Sequence, residues 1–289
     1  MRTAAVIGAG RLGTSLARAL AASGVRIMGL ACLTRGEAEE SRLLIGEGTL
    51  FEDNAAAAAG ADFVLITVPD QAIAGTAAEM AEGGGDWNDR LVWHCSGLLP
   101  AAALDPLREL GADTAASHPV QTFPSRSGGA ESFRGIYFGI EAEDEAWERS
   151  CGVVEILGGR PIRLRPEEKP LYHAACSTAS NLLTALLDTA AAMLRRSGRP
   201  AAEARDILMP LAQGTLQNVK ELNTERALSG PVARGDADTV AAHLKALSGM
   251  REEREIYSAL ARRSLELAAA RGDLPAEVIR AVADRLEGK

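Results

Sequence analysis

The stretch MRTAAVIGAGRLG, residues 1–13, decides the fold that the sequence predicts. Residues 3–7 are small or apolar and predict a buried parallel strand, and three glycines follow at once. Glycines at this spacing permit a tight turn, a close approach of the backbone to a pyrophosphate, and packing of the next helix on the strand. The free N–H groups that begin this helix then face phosphate. We therefore expect the pyrophosphate of a dinucleotide to be bound by Gly8, Gly10, Arg11, Leu12 and Gly13.

The residues after the glycines support this interpretation. Leu12, Leu16 and Leu20 recur at helical spacing, Ser23-Gly24 is typical of a helix end, and residues 25–33 predict a second strand. The order of strand, glycines, helix and strand favours nucleotide binding over the alternative, a glycine-rich turn with a purely steric role.

The end of the second strand distinguishes NADP from NAD. An acidic side chain there binds the ribose 2′-hydroxyl of NAD, whereas an arginine accommodates the 2′-phosphate of NADP. Thr34 and Arg35 occupy this position, and no acidic residue precedes Glu37. The sequence thus predicts NADP as the cofactor, with Thr34 and Arg35 at its 2′-phosphate. The alternative is that Arg35 is an ordinary solvated side chain.

Composition limits the class of protein. A chain of 289 residues with 47% hydrophobic residues can form one large domain or two. Its net charge of −8 argues against a nucleic-acid partner. No apolar stretch is long enough to cross a membrane, and the first strand begins too early for a signal peptide, so we expect a cytoplasmic protein. The four cysteines lack paired spacing, which predicts neither a disulfide framework nor a metal site.

Two regions differ in their pattern. Residues 1–165 alternate strand-like and helix-like segments, which predicts an α/β domain with a doubly wound, mainly parallel sheet that binds NADP. Residues 166–289 show helical periodicity and predict an all-helical domain, with one helix of about 40 Å from residue 166 to residue 196. Eight strands are expected, at residues 3–7, 25–32, 49–51, 63–67, 91–94, 114–117, 136–140 and 161–164.

Ligands of a doubly wound sheet bind at the carboxyl ends of its strands, so the loops there are candidate sites. Val68 and Pro69 follow the fourth strand and are expected beside the nicotinamide, while Asp70 either joins this site or caps the next helix. Ser96 follows the fifth strand and either orients the substrate or stabilises a turn. His94, which lies within that strand, is expected in the core.

Further candidates follow the sixth strand and lie on the long helix. His118 precedes a proline, which holds it extended; this geometry either presents its imidazole to a pocket or only terminates the strand. Lys169, His173, Ser177 and Asn181 recur every four residues along one helix face. Hydride transfer to a carbonyl or imine needs a proton donor, and the pattern predicts Lys169 or His173 in this role, oriented by Asn181. The alternative is a solvated Lys169 and a packing histidine.

The strings GAGRLG, VPD, HCSG, SHPVQTF, YHAACSTASN and LSGPVARGD occur in this order. They resemble the family that joins a Rossmann-like domain to the domain of unknown function 2520, over nearly the whole chain. More distantly, the chain resembles the superfamily of 6-phosphogluconate dehydrogenase, β-hydroxyacid dehydrogenase, ketopantoate reductase and pyrroline-5-carboxylate reductase, which includes coenzyme-F420-dependent NADP oxidoreductases. This resemblance implies an NADP domain, a helical domain and a homodimer formed through the helical domain.

The resemblance leaves the catalytic group open. The β-hydroxyacid dehydrogenases carry a lysine four residues before an asparagine on the first long helix, and here Ser177 stands four residues before Asn181. From the predicted NADP site and the resemblance together, we expect an NADP-dependent reductase or dehydrogenase. It would act on a small anionic carbonyl, imine or hydroxyacid between the two domains. The alternative is a regulatory protein that binds NADP without catalysis.

Overall fold

The computed structural model describes residues 1–288 and divides them into two compact units, Met1–Ser180 and the residues from Asn181 onward. The expected boundary after residue 165 therefore differs from the division seen, because residues 166–180 pack with the first unit. The two units are described separately.

An eight-stranded sheet forms the centre of the first unit, in the order β3-β2-β1-β4-β5-β6-β7-β8. The predicted α/β class with a mainly parallel sheet is confirmed: only β6 and β7 pair antiparallel. The strands are β1 (Thr3–Ile7), β2 (Arg26–Ala31), β3 (Thr49–Phe51), β4 (Phe63–Ile66), β5 (Leu91–His94), β6 (Asp113–Pro119), β7 (Tyr137–Ala142) and β8 (Arg160–Arg163).

Helices cover both faces of this sheet, as its buried central strands require. One face carries a core that includes Leu16, Trp93 and Phe138, and the other a core that includes Ile66 and Trp87. The helices are α1 (Arg11–Ala22), α2 (Arg35–Ile45), α3 (Asn54–Ala58), α4 (Asp70–Glu82), α5 (Asp105–Arg108), α6 (Asp144–Ile156) and α7 (Lys169–Ala179), with short 3₁₀ turns at Ala101–Leu104, Ala130–Ser132 and Pro166–Glu168.

The second unit is helical throughout the residues described, as predicted. Its core contains Val240, Leu265 and Val282. Its helices are α8 (Asn181–Arg196), α9 (Ala201–Leu222), α10 (Thr224–Ala227), α11 (Pro231–Arg234), α12 (Ala237–Ala246), α13 (Arg251–Arg271) and α14 (Ala276–Glu287).

The single long helix expected between residues 166 and 196 is wrong. A 3₁₀ turn precedes α7, and Ser180 separates α7 from α8 with φ −121° and ψ −76°, which is not a helical conformation. Lys169, His173 and Ser177 therefore share α7, whereas Asn181 begins α8 in the second unit.

Candidate functional site

The three glycines after β1 meet three different steric requirements. Gly8 adopts φ +84°, and a Cβ on it would lie 2.7 Å from Val68 Cγ1. A Cβ on Gly13 would lie 2.3 Å from Thr67 Oγ1, so α1 packs against the end of β4 only because this residue is glycine. At Gly10 the nearest atom to such a Cβ is 3.9 Å away, which leaves the space that a pyrophosphate needs.

Buried hydroxyls fix the glycine turn. The hydroxyls of Thr14 and Ser41 donate to the Ala9 carbonyl at 3.0 and 2.7 Å, and Thr67 Oγ1 donates to the Gly8 carbonyl at 2.7 Å. The N-terminus of α1 has no side-chain cap. Its first amides, on Arg11, Leu12 and Gly13, therefore form a rigid set of donors that fits a dinucleotide pyrophosphate.

A cavity of about 390 Å³ lies at the end of β2. Thr34 lines it and caps α2, its hydroxyl accepting from the Glu37 amide at 3.3 Å and donating to the Glu37 carboxylate at 3.0 Å. Arg35 also lines the cavity, with its side chain 80% exposed and paired with Glu39 at 3.1 Å. Both predicted residues are thus at one cavity, and contact with a 2′-phosphate stays a prediction.

The loops after β4 and β5 are joined by a short hydrogen bond. The Ser96 hydroxyl donates to Asp70 Oδ2 at 2.6 Å and accepts from the amides of Leu98 and Leu99. These three bonds use the donor and both lone pairs of the hydroxyl, so the side chain stabilises a turn. Asp70 is the first residue of α4, which Pro69 caps, and its carboxylate serves this loop rather than the helix end.

His94 lies in the core, as expected. It is fully buried, its Nε2 donates to the Pro100 carbonyl at 3.0 Å, and its Nδ1 accepts from the Ser96 amide at 3.2 Å. Burial lowers the pKa of His94 to about 4, so the ring is neutral near pH 7. His94 therefore stabilises the Ser96 turn by accepting a hydrogen bond from the Ser96 amide.

Lys169 is fully buried at the start of α7, and its Nζ donates to the Ser96 carbonyl at 3.3 Å. Burial lowers the pKa of Lys169 to about 8, while the nearby charges of Glu141 and Asp70 raise it. The Glu141 carboxylate also accepts from the Ala101 amide at 2.5 Å. The interpretation of Lys169 as a solvated residue is wrong, because its ammonium group lies among the loops at the carboxyl end of the sheet.

Two histidines and a tyrosine form the adjoining part of the site. His118 Nδ1 lies 2.9 Å from the Tyr172 hydroxyl, and the rings of His118 and His173 meet edge to face with centroids 5.9 Å apart. Burial, together with His173 and Lys169, lowers the pKa of His118 to about 4. Burial is also the main cause that raises the pKa of Tyr172, so its hydroxyl keeps its proton.

Two glycines make room for these rings. A Cβ on Gly97 would lie 2.6 Å from His173 Cδ2 and 3.2 Å from His118. A Cβ on Gly139 would lie 2.4 Å from the Tyr172 hydroxyl oxygen. Larger residues at either position would displace the aromatic groups, so the backbone of the loop after β5 and of β7 sets the geometry of the site.

The first unit thus brings together Ser96, His118, Lys169 and His173, four of the five residues predicted for catalysis. Sequence reasoning missed Tyr172 and Glu141. Tyr172 follows Lys169 by three residues on α7 and was detectable from helical spacing. Glu141 lies on a strand with no motif around it, so no local signal pointed to it.

Within residues 1–288 there is neither a membrane-spanning helix nor a cluster of metal-binding side chains. None of the helices in this range has the length and apolar character that crossing a membrane requires. Within the same residues, no three His, Cys, Asp or Glu side chains are grouped so that they could hold a metal ion.

Comparisons with known proteins agree with this architecture. Residues 2–119 match the Rossmann-like domain family, and residues 136–264 match the domain of unknown function DUF2520. The N-terminal part of the chain therefore has a Rossmann-like fold. The two matches occur in the order that the sequence resemblance implied. No curated protein matches the chain.

Solved structures extend the likeness over most of the chain. The crystal structure of "putative NADP oxidoreductase BF3122" from Bacteroides fragilis has 26% identity, a TM-score of 0.75, and coverage of 91% of this chain and 97% of that one. Protein TM1727 from Thermotoga maritima has 22% identity, a TM-score of 0.73, and coverage of 93% and 99%. A pyrroline-5-carboxylate reductase from Coxiella burnetii has 15% identity, a TM-score of 0.60, and coverage of 92% and 98%. At 22% and 15% identity, the last two structures show that these proteins share the fold of this chain.

Proposed function

We propose that this protein is an NADP-dependent oxidoreductase that transfers hydride between NADP(H) and a small anionic carbonyl, imine or hydroxyacid substrate. One observation carries the proposal: the glycine turn and the titratable cluster lie at the same edge of the sheet. The turn follows β1, Asp70 and Ser96 follow β4 and β5, and His118 lies in β6. These four strands are consecutive and parallel, so their carboxyl ends form one continuous edge.

The similarity to the Bacteroides fragilis protein supports the nicotinamide cofactor, since its printed name describes an NADP oxidoreductase. Thr34 and Arg35 at the end of β2 favour NADP over NAD, as argued from the sequence. A coenzyme-F420 partner stays a prediction from the resemblance alone.

When bound, the nicotinamide ring supplies or accepts the hydride at the reacting carbon. The residues of the chain must then move one proton to or from the substrate oxygen or nitrogen. His173 is the better candidate for this role. Its ring is only half-buried, whereas Lys169 is fully buried and bonded to the Ser96 carbonyl. Lys169 acts in this proposal as a positioning residue that holds the Ser96 loop.

His118 orients and polarises the substrate in this proposal. The Tyr172 hydroxyl stays protonated and donates a hydrogen bond to Nδ1 of the neutral His118 ring. The ring proton is then on Nε2, where it can donate to a substrate oxygen. Asn181 begins α8, and its role in orienting the substrate stays a prediction.

The homodimer is also a proposal. Helix α9 has 22 residues, of which only Ala204 is buried, while Ile207, Leu211 and Leu216 are 48%, 69% and 55% exposed. A helix with this much exposed apolar surface is typical of a protein interface. We expect two copies to associate through this helix.

Turnover with NADPH tests the enzymatic proposal. We expect the wild-type protein to oxidise NADPH with at least one member of a panel of small keto acids and cyclic imino acids. His173→Ala is expected to lower kcat by about 100-fold with little change in NADPH affinity. NADPH binding without turnover across the panel would favour a sensor, and unchanged turnover in His173→Ala would exclude this residue as the proton donor.

A further inference from the structure

Arg126 lies on the loop after β6 and reaches helix α2. Its Nη1 pairs with Glu40 at 2.6 Å and its Nη2 pairs with Glu37 at 3.3 Å. The side chain is only 23% exposed, in contrast to the 80% of Arg35. Arg126 is therefore the more fixed of these two cations, although the sequence around it gave no reason to select it.

The loop that carries Arg126 is anchored on α1. The guanidinium group of Arg18 donates to the Gly128 carbonyl at 2.8 Å and to the Ser127 carbonyl. A Cβ on Gly128 would lie 2.8 Å from the Ser15 hydroxyl, so the loop backbone packs directly against this helix. These contacts hold Arg126 in place at the N-terminal turns of α2.

The ion pair with Glu37 borders the cavity at the end of β2. Glu37 is bonded to Thr34, which lines the cavity. Cys32 lines it too. Although burial chiefly raises the pKa of that thiol, Glu37 and Arg126 also act on it, with opposite signs. Both charges are therefore close enough to affect a group bound in the cavity.

The charge balance around this cavity is unfavourable for a phosphate. This region has two positive side chains, Arg35 and Arg126. It has four negative ones on α2 and at the end of β3, namely Glu37, Glu39, Glu40 and Glu52. Arg35 is already paired with Glu39. Without Arg126, Glu37 and Glu40 would lose their ion-pair partner. The charge of Glu37, which is bonded to the cavity residue Thr34, would then repel the two negative charges of a 2′-phosphate.

We propose that Arg126 determines the preference for NADP over NAD by neutralising Glu37 at the 2′-phosphate cavity. This inference rests on the proposed function and deepens it. Arg126 acts through Glu37 as a positioning residue, and direct contact with the cofactor is not required. Since NAD has no 2′-phosphate, its affinity should depend little on this ion pair.

Dissociation constants of NADPH and NADH, measured on the full-length protein by fluorescence titration, test the proposal. We expect Arg126→Gln to weaken NADPH by on the order of tenfold and to change NADH by less than about twofold. Adding Glu37→Gln to this variant is expected to restore most of the lost NADPH affinity, and Arg126→Lys to retain it. Arg134→Gln changes a 71% exposed arginine in the turn after the 3₁₀ segment Ala130–Ser132. It is the matched control and should leave both affinities unchanged.

Equal losses of NADPH and NADH in Arg126→Gln would overturn the proposal. So would a selective NADPH loss that Glu37→Gln does not repair, because Arg126 would then act on the phosphate itself. A wild-type protein that binds neither dinucleotide would contradict the proposed function as a whole, and this result is distinguishable from both of the others. Far-ultraviolet circular dichroism checks that each variant is folded.

Discussion

The Ser96 hydroxyl and the Asp70 carboxylate, 26 positions apart in sequence, are joined by a 2.6 Å hydrogen bond. This bond links the loop after β5 to the first turn of α4. It fixes the backbone whose carbonyl holds Lys169 and whose Gly97 accommodates His173. The geometry of the candidate site thus depends on a contact between two neighbouring strand ends.

Ser96→Ala removes the three hydrogen bonds of a buried hydroxyl and leaves the amides of Leu98 and Leu99 without their acceptor and Asp70 without its donor. We expect a decrease of about 1–3 kcal/mol in the free energy of unfolding, because buried polar groups lose their partners. Urea denaturation followed by tryptophan fluorescence measures this change. Ser125→Ala, at an exposed loop serine, is the control and should change stability by less than about 0.5 kcal/mol. A Ser96→Ala protein as stable as the wild type would show that the turn does not depend on this hydroxyl.

The buried Lys169 makes the free energy of unfolding depend on pH in the alkaline range. Its pKa is lowered from 10.5 to about 8, so the unfolded chain binds more protons between these values. The contribution of Lys169 to stability is therefore least favourable below about pH 8 and improves as the pH rises toward 10.5. Relative to Lys169→Met, the wild type should gain stability between pH 7.5 and pH 10. Lys220→Met, at an exposed lysine of α9, should show no such change. A pH-independent difference for Lys169→Met would contradict the lowered pKa.

His94 makes the free energy of unfolding depend on pH in the acidic range. Its pKa is lowered from 6.5 to about 4, so the unfolded chain binds more protons in this window. Stability should accordingly fall as the pH decreases from about 6.5 to 4. His94→Gln keeps hydrogen-bonding capacity without this titration and should show a shallower fall, although His118 continues to contribute. Urea midpoints at pH 7 and pH 5 give both slopes, and parallel slopes would be inconsistent with a buried neutral His94.

The sequence predicted all eight strands because most of them contain a short apolar run bounded by glycine or polar residues. It also predicted the glycine turn, whose steric requirements are local. It did not predict the break at Ser180, because the helical pattern of small and apolar residues continues on both sides, although Ser177, Thr178 and Asn181 are only moderate helix formers. The contacts of Asp70, Glu141 and Arg126 depend on the order of strands in the sheet and on loop packing, which no local pattern encodes.

Arg35 is predicted to favour NADPH directly, through its position beside Thr34. Arg35→Ala should weaken NADPH binding by about tenfold and NADH binding much less, because only NADPH carries the 2′-phosphate. Isothermal titration calorimetry measures both affinities. Arg42→Ala, in the last turn of the same helix, is the control. Equal losses of both dinucleotides would show that Arg35 does not select the phosphate.

Helix α9 is predicted to mediate association of two copies. Leu211 is 69% exposed in the chain, and Leu211→Glu places a charge on a surface that we expect to be buried in a dimer. Sedimentation equilibrium should then detect a shift from dimer to monomer. Gln217→Glu adds the same charge at an exposed polar position of α9 and should leave the dimer intact. A wild-type protein that is monomeric at micromolar concentration would contradict this proposal.

Hydride transfer itself is tested most directly with NADPH that carries deuterium at C4 on the transferred face of the nicotinamide. Both C4-deuterated stereoisomers are incubated with the protein and the panel of keto and imino acids, and the products are analysed by mass spectrometry. An oxidoreductase of the proposed kind gives a reduced product with one deuterium from one stereoisomer only, and His173→Ala gives far less of it. Tight NADPH binding with no deuterated product from either stereoisomer would contradict the proposed enzymatic function.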